Sequence, residues 1–111
     1  MTIEQFITET NSVKVTDRFN TQFRPRIICN DGFSMSVQAS EYAYCKPQKT
    51  NNDSYTKMEI GFPDKVDDLI WEYADDKSDP TETVYGYVPI EVINAVIEKH
   101  KGINVELTLK K

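Results

Sequence analysis

Few side chains in this sequence could do covalent or metal chemistry. Cys29, Cys45 and His100 are its only soft ligands, and neither a C-x-x-C nor an H-x-x-x-H spacing occurs. A zinc site would have to be completed by carboxylates. Asp75, Asp76 and Asp79 cluster, but without the glycine and terminal glutamate of an EF-hand loop. The four glycines form no phosphate-binding loop. Cys45 with His100 would pair a nucleophile with an imidazole base. His100, however, falls in the last turn of an expected helix, where a positive charge suits the dipole. No carboxylate pair stands in an apolar setting that would separate the two pKa values. The expectation is a protein that is not an enzyme and uses no metal and no cofactor.

Two surfaces are unusual instead. The first is acidic: Glu59, Asp64, Asp67, Asp68, Glu72, Asp75, Asp76, Asp79 and Glu82 make up half of the 18 acidic residues, offset locally only by Lys65 and Lys77. On a helix, Asp68, Glu72 and Asp76 would recur every four residues, a repulsive spacing. The plain reading is a solvated helix face. The sharper one is a partner-binding surface of Asp64, Asp67, Asp68, Glu72, Asp75, Asp76 and Asp79 that competes for a basic protein groove. The second surface is the polar face of a central strand. It carries Ser36, Gln38, Tyr42 and Tyr44, with Tyr85 and Tyr87 on a neighbouring strand. Tyrosine offers rigid contact area with a polar tip. This face is expected to be a ligand pocket or a homo-oligomer contact, with Ser36, Gln38, Tyr42, Tyr44 and Tyr85 as its residues, or simply a face half covered by loops.

The elements that hold these groups centre on Arg26 to Ala39. An apolar run meets Asn30-Asp31-Gly32, and strict alternation follows with Phe33, Met35, Val37 and Ala39 on one side. That is a hairpin pattern. Thr2 caps a short helix over Ile3 to Thr8. Val13 to Thr16 reads as a strand, and Arg18 to Arg24 as a polar loop. The central strand is expected to run on through Tyr44. After a polar loop over 47–54, Tyr55 to Phe62 alternates, with Met58, Ile60 and Phe62 inward. Val66, Leu69, Ile70 and Tyr73 give the stripe of a helix capped by Asp64. Glu82 to Val88 is a strand. Pro89 opens a second long helix with Ile90, Ile93, Val96 and Ile97 inward and Gly102 as its cap. Ile103, Val105, Leu107 and Leu109 alternate as a last strand. The sum is an α+β domain over 1–111. Its largely antiparallel sheet has about five to six strands, two longer helices pack on one face, and a short helix sits at the N-terminus.

A chain of 111 residues suffices for one core without disulfide staples. Two cysteines exclude a disulfide scaffold. No run of about 20 apolar residues spans a membrane, and the N-terminal stretch is unlike a secretory signal. A cytoplasmic setting is therefore expected. The net charge of −5 disfavours direct binding to nucleic-acid phosphates.

The strings Ile28-Cys29-Asn30-Asp31-Gly32-Phe33-Ser34-Met35-Ser36-Val37-Gln38-Ala39-Ser40, Tyr44-Cys45, Glu59-Ile60-Gly61-Phe62-Pro63 and Thr83-Val84-Tyr85-Gly86-Tyr87-Val88-Pro89 resemble those of small proteins encoded by phages and prophages. The likeness covers Arg26 to Ile103. The group favours a second glycine where this chain has Lys101. It implies no catalytic residue. It implies a phage accessory protein of the anti-CRISPR kind, which binds and inhibits a bacterial defence complex in the host cytoplasm. The competing expectation is a protein that binds a nucleotide signal on the Ser/Gln/Tyr face.

Overall fold

The computed structural model describes residues 1–11, 15–16, 22–50, 52 and 54–110. The elements in chain order are α1 (Ile3–Thr10), β1 (Val15–Thr16), β2 (Gln22–Phe23), β3 (Ile27–Ile28), β4 (Ser34–Gln38), β5 (Lys57–Gly61), a 3-10 turn (Trp71–Tyr73), β6 (Val84–Pro89), α2 (Ile90–Lys99) and α3 (Val105–Leu109). The fold is α+β. Its main sheet has four strands in the order β3-β4-β5-β6, every neighbour antiparallel, rather than the five to six expected. β1 and β2 form a separate two-stranded ribbon. Among the described residues no helix is long and apolar enough to cross a membrane.

The β3–β4 hairpin forms as its sequence requires. Gly32 takes φ +97°, Gly32 N–H donates to Cys29 O at 3.0 Å, and Cys29 N–H donates to Phe33 O at 2.8 Å. Its inner residues Ile27, Met35 and Val37 join Met58 and Ile60 of β5 and Tyr85 and Val88 of β6 in one buried cluster. Ile93, Val96 and Ile97 of α2 and Ile3, Phe6 and Ile7 of α1 complete it. α1 carries the expected Thr2 cap, and Gln5 completes it as a capping box. Asn94 of α2 bonds its start, accepting from Ile3 N–H at 2.9 Å and donating to the Glu4 carboxylate at 2.7 Å. Arg24, expected in a polar loop, is buried instead. Its guanidinium donates to Ile7 O at 2.9 Å and Thr10 Oγ1 at 2.8 Å, closing the C-terminal carbonyls of α1.

Other expectations give way as well. No helix forms over 64–73; the segment is a run of turns ending in the 3-10 turn, and Val66, Leu69 and Trp71 stand exposed. The last alternating stretch is a helix, because the Asn104 side chain accepts from Leu107 N–H at 3.0 Å and nucleates α3. The central strand ends at Gln38, and 40–44 is a bend. β5 ends at Gly61, and Phe62, with φ +49°, turns outward. Of the expected strand 13–16, Val13 and Lys14 lie outside the described residues, and Val15–Thr16 is β1. Part of the expected loop 18–24 is β2.

Candidate binding surface

Three local arrangements shape the outside of the molecule. The first is a clamp on His100. Its Nδ1 lies 2.7 Å from Asp31 Oδ2 in the hairpin turn, and its Nε2 lies 2.7 Å from Asp67 Oδ2 in the 62–73 segment. Phe33 stacks on the ring at 3.9 Å between centroids and 8° between planes. Asp67 also takes Lys99 Nζ at 3.3 Å and the Leu69 N–H at 2.9 Å. Burial alone would lower the His100 pKa, but the bonds to Asp67 and Asp31 outweigh it and raise the value above the ordinary 6.5. The Phe33 N–H and the His100 ring hold Asp31 below the ordinary carboxylate value. Burial would raise Asp67, yet His100, the Leu69 N–H and Lys99 bring it below that value too. Imidazolium with both N–H groups donated is the state this geometry selects.

The clamp holds down a segment that faces outward elsewhere. Phe62, Val66, Leu69 and Trp71, within ten residues, are 48%, 55%, 40% and 43% exposed. Asp64, Asp68, Glu72, Asp75, Asp76 and Asp79 are exposed around them in the chain. Asp67 is not part of that surface: it is 3% exposed and is consumed by His100. Asp64 is tied to β4, with its carboxylate accepting from Ser34 N–H at 2.9 Å. Asp76 accepts from Ser78 N–H and Oγ, which keeps its pKa low. Asp68, Glu72 and Asp76 do not share a helix face, since no helix is there.

The third arrangement is a groove on the outer face of β6. A register shift between Met58 and Ile60 sets Gly86 and Tyr87 opposite Glu59, a β-bulge with Tyr87 at φ +54°. The bulge lets Tyr85 and Val88, three residues apart, both point inward while Tyr87 points out. Tyr44 closes over it. Its N–H donates to Glu59 Oε2 at 2.9 Å, and its carbonyl accepts from Tyr87 N–H at 3.0 Å. A Cβ on Gly86 would lie 3.3 Å from that of Tyr44, so the glycine admits the tyrosine. On the other side Ala74 bridges Tyr85, and Asp75 N–H donates to Val84 O at 2.9 Å. Between these walls runs a groove of about 330 Å³ lined by Tyr44, Tyr73, Ala74, Asp75, Val84, Gly86 and Tyr87.

The Ser/Gln/Tyr face is only partly what its sequence suggested. Gln38 is used internally, accepting from Arg24 N–H at 2.8 Å and donating to Arg24 O and Ser36 Oγ. Tyr85 is fully buried, with its hydroxyl donating to Pro80 O at 2.5 Å, so it belongs to the core and not to this face. Tyr42 stands 83% exposed in the 40–44 bend. Tyr44 does reach the outer surface, but beside Tyr87, Tyr73 and Asp75. Sequence alternation could not place Tyr87 opposite to Tyr85, because a bulge has no mark in the alternation itself.

Cys45 and His100 have separate hydrogen-bond partners. Cys45 Sγ donates towards Ser40 O at 3.2 Å and Pro47 O at 3.4 Å, and burial raises its pKa. Burial likewise pushes the Cys29 thiol up to about 11. Among the described residues no three His, Cys, Asp or Glu side chains gather as metal ligands. Comparison with protein-family models, with curated proteins and with solved structures finds no match to this chain.

Proposed function

We propose that this chain is a non-enzymatic binding protein whose 62–79 segment docks on a basic protein surface. Phe62, Val66, Leu69 and Trp71 are the anchors, and Asp64, Asp68, Glu72, Asp75, Asp76 and Asp79 supply the charge. The observation that carries this reading is the exposure of four large apolar side chains on one acidic segment fixed from beneath by Asp67 and His100. Exposed apolar groups rimmed by polar ones mark interaction sites, and a tryptophan among them suits a hot spot. The carboxylates steer association and choose a partner of opposite sign. The sequence resemblance to phage-encoded proteins supports reading that partner as a bacterial defence complex with a basic nucleic-acid groove, and the action as inhibition by occupancy in the host cytoplasm.

The test is capture from bacterial lysate by the tagged chain, by a Leu69→Ser/Trp71→Ala variant, and by an Asp68→Lys/Glu72→Lys/Asp79→Lys variant. The expected result is one partner that weakens as salt rises and drops by about 30-fold or more with either variant, while circular dichroism of both variants is unchanged. A partner retained by both variants, or no partner for the unmodified chain, overturns the proposal.

A further inference from the structure

The groove on β6 has a chemistry of its own. Three of its walls are tyrosines. Tyr44 and Tyr87 have ring centroids 5.9 Å apart and are inclined by 40°, so they open as a wedge and do not stack on each other. Tyr73 and Asp75 come from the segment on the opposite side. No lysine or arginine lines the groove. Among the described residues the Asp75 carboxylate and the Tyr44, Tyr73 and Tyr87 hydroxyls have no protein partner. The chain holds this wedge open at a cost: Tyr87 sits at φ +54°, a region that disfavours a residue with a ring at Cβ.

We infer that Tyr44, Tyr73, Tyr87 and Asp75 form a receiving site for an arginine guanidinium presented by the partner protein. A planar cation is attracted to the faces of aromatic rings, and guanidinium both stacks and donates from a fixed fork. Here the ring faces come from the wedge, and the acceptors are the Asp75 carboxylate and the phenol oxygens. Guanidinium is also the cation most easily stripped of water, which favours it over the compact lysine ammonium in a half-enclosed groove. A nucleotide is the wrong occupant: its phosphates would meet Asp75 and nearby Glu59, no cation lines the groove, and Lys77 beside it is already bound to Ala74 O at 3.5 Å and set over the Trp71 ring. Because Asp75 and Tyr73 belong to the 62–79 segment, the groove extends the docking surface and gives it a specific anchor. The inference rests on the docking reading for the source of the arginine. The site itself can be tested without any partner.

The experiment is an NMR titration of the full chain with N-acetyl-arginine amide, with the citrulline analogue as its neutral isostere. The expected result is saturable shifts at Tyr44, Tyr73, Gly86 and Tyr87, several-fold weaker with citrulline. Asp75→Asn should weaken arginine binding by about 3- to 10-fold. Tyr44→Leu, which keeps the Cβ against Gly86, should weaken it by a similar factor. Absence of shifts, equal binding of citrulline, or unchanged binding by both variants overturns the site. The Leu69→Ser/Trp71→Ala variant should titrate like the unmodified chain. Failure of the docking proposal therefore shows in the capture experiment alone, and failure of this site in the titration alone.

Discussion

Asp67 and His100 stand 33 residues apart in the chain and 2.7 Å apart in the fold, and this contact binds the turns of 62–73 to the end of α2. On its other side His100 holds Asp31, so one imidazole joins the hairpin turn, the helix end and the acidic segment. His100 has a raised pKa in the folded chain. Its stabilising contribution is therefore complete below about pH 6.5, where the unfolded chain is protonated as well, and is lost as pH rises through the folded value. Asp31 and Asp67 act in the opposite sense. With folded pKa values below the ordinary 3.8, they stabilise above that value and stop doing so as pH falls through their folded values. Urea midpoints should hold steady at mildly acidic pH and decline above neutrality. In His100→Gln the part of that decline below about pH 8.5 should vanish, leaving the loss at higher pH that the raised Cys29 and Cys45 thiols cause. An identical slope in the variant between about pH 6.5 and 8.5 would refute the clamp as its cause.

Asp67→Asn removes a buried charge that three donors address. It leaves Lys99 without its anion and His100 with Asp31 alone, and should cost on the order of 2–3 kcal/mol. The loss should be local before it is global. Amide exchange at Leu69, Ile70 and Trp71, whose N–H groups sit around Asp67, should accelerate more than exchange in β4 or β5. Uniform acceleration across the sheet would mean that Asp67 supports the whole fold and not this segment.

The end of α2 offers a stabilising change. His100 is its C-cap, Lys101 N–H donates to Glu98 O at 3.0 Å, and Gly102 N–H donates to Ile97 O at 2.8 Å. That pair of bonds is the Schellman motif, and the residue it places in the left-handed region is Lys101, at φ +71°. Gly102 follows at φ +86°. The glycine expected as the cap is thus one residue late. Lys101→Gly should raise stability by about 1 kcal/mol, read as a higher urea midpoint with unchanged slope. A lower midpoint would show that the Lys101 side chain contributes more than its backbone costs.

The parts of the fold legible in the sequence are those in which local chemistry and tertiary packing agree. Asn30-Asp31-Gly32 turned where the alternation on its far side demanded, Thr2 capped α1, and the Ile90, Ile93, Val96 and Ile97 stripe was buried. The 62–73 segment failed because a single buried carboxylate overrode an amphipathic pattern. With Asp67 drawn inward to His100, the same turn cannot bury Val66 and Leu69. The 103–109 segment failed for a different reason. Thr108 Oγ1 accepts from Ile28 N–H at 2.9 Å and donates to Ile28 O at 3.1 Å, so a helix side chain meets the edge of β3 where a strand was expected. Asn104 looks the same in sequence whether it caps a helix or alternates in a strand. Of the candidate site, the exposed acids and Tyr44 were legible. Tyr87 was named only together with Tyr85, from which the bulge separates it, and Tyr73 was expected in the stripe of a helix that does not form.

Tyr87 allows stability and binding to be pulled apart. Its backbone lies at φ +54°, which asparagine tolerates better than an aromatic residue. Its ring is 40% exposed, so little core packing is at stake. Its N–H bond to Tyr44 O survives any substitution but proline. Tyr87→Asn should therefore raise stability by about 0.5–1 kcal/mol. It should also remove one face of the wedge and weaken the arginine amide several-fold. A residue kept at the expense of stability is what a binding site requires and a passive surface does not. Thermal denaturation and the arginine titration on this one variant decide the matter. A gain in stability together with a loss of binding supports the groove, whereas a gain in stability with unchanged binding would leave Tyr87 as mere backbone strain.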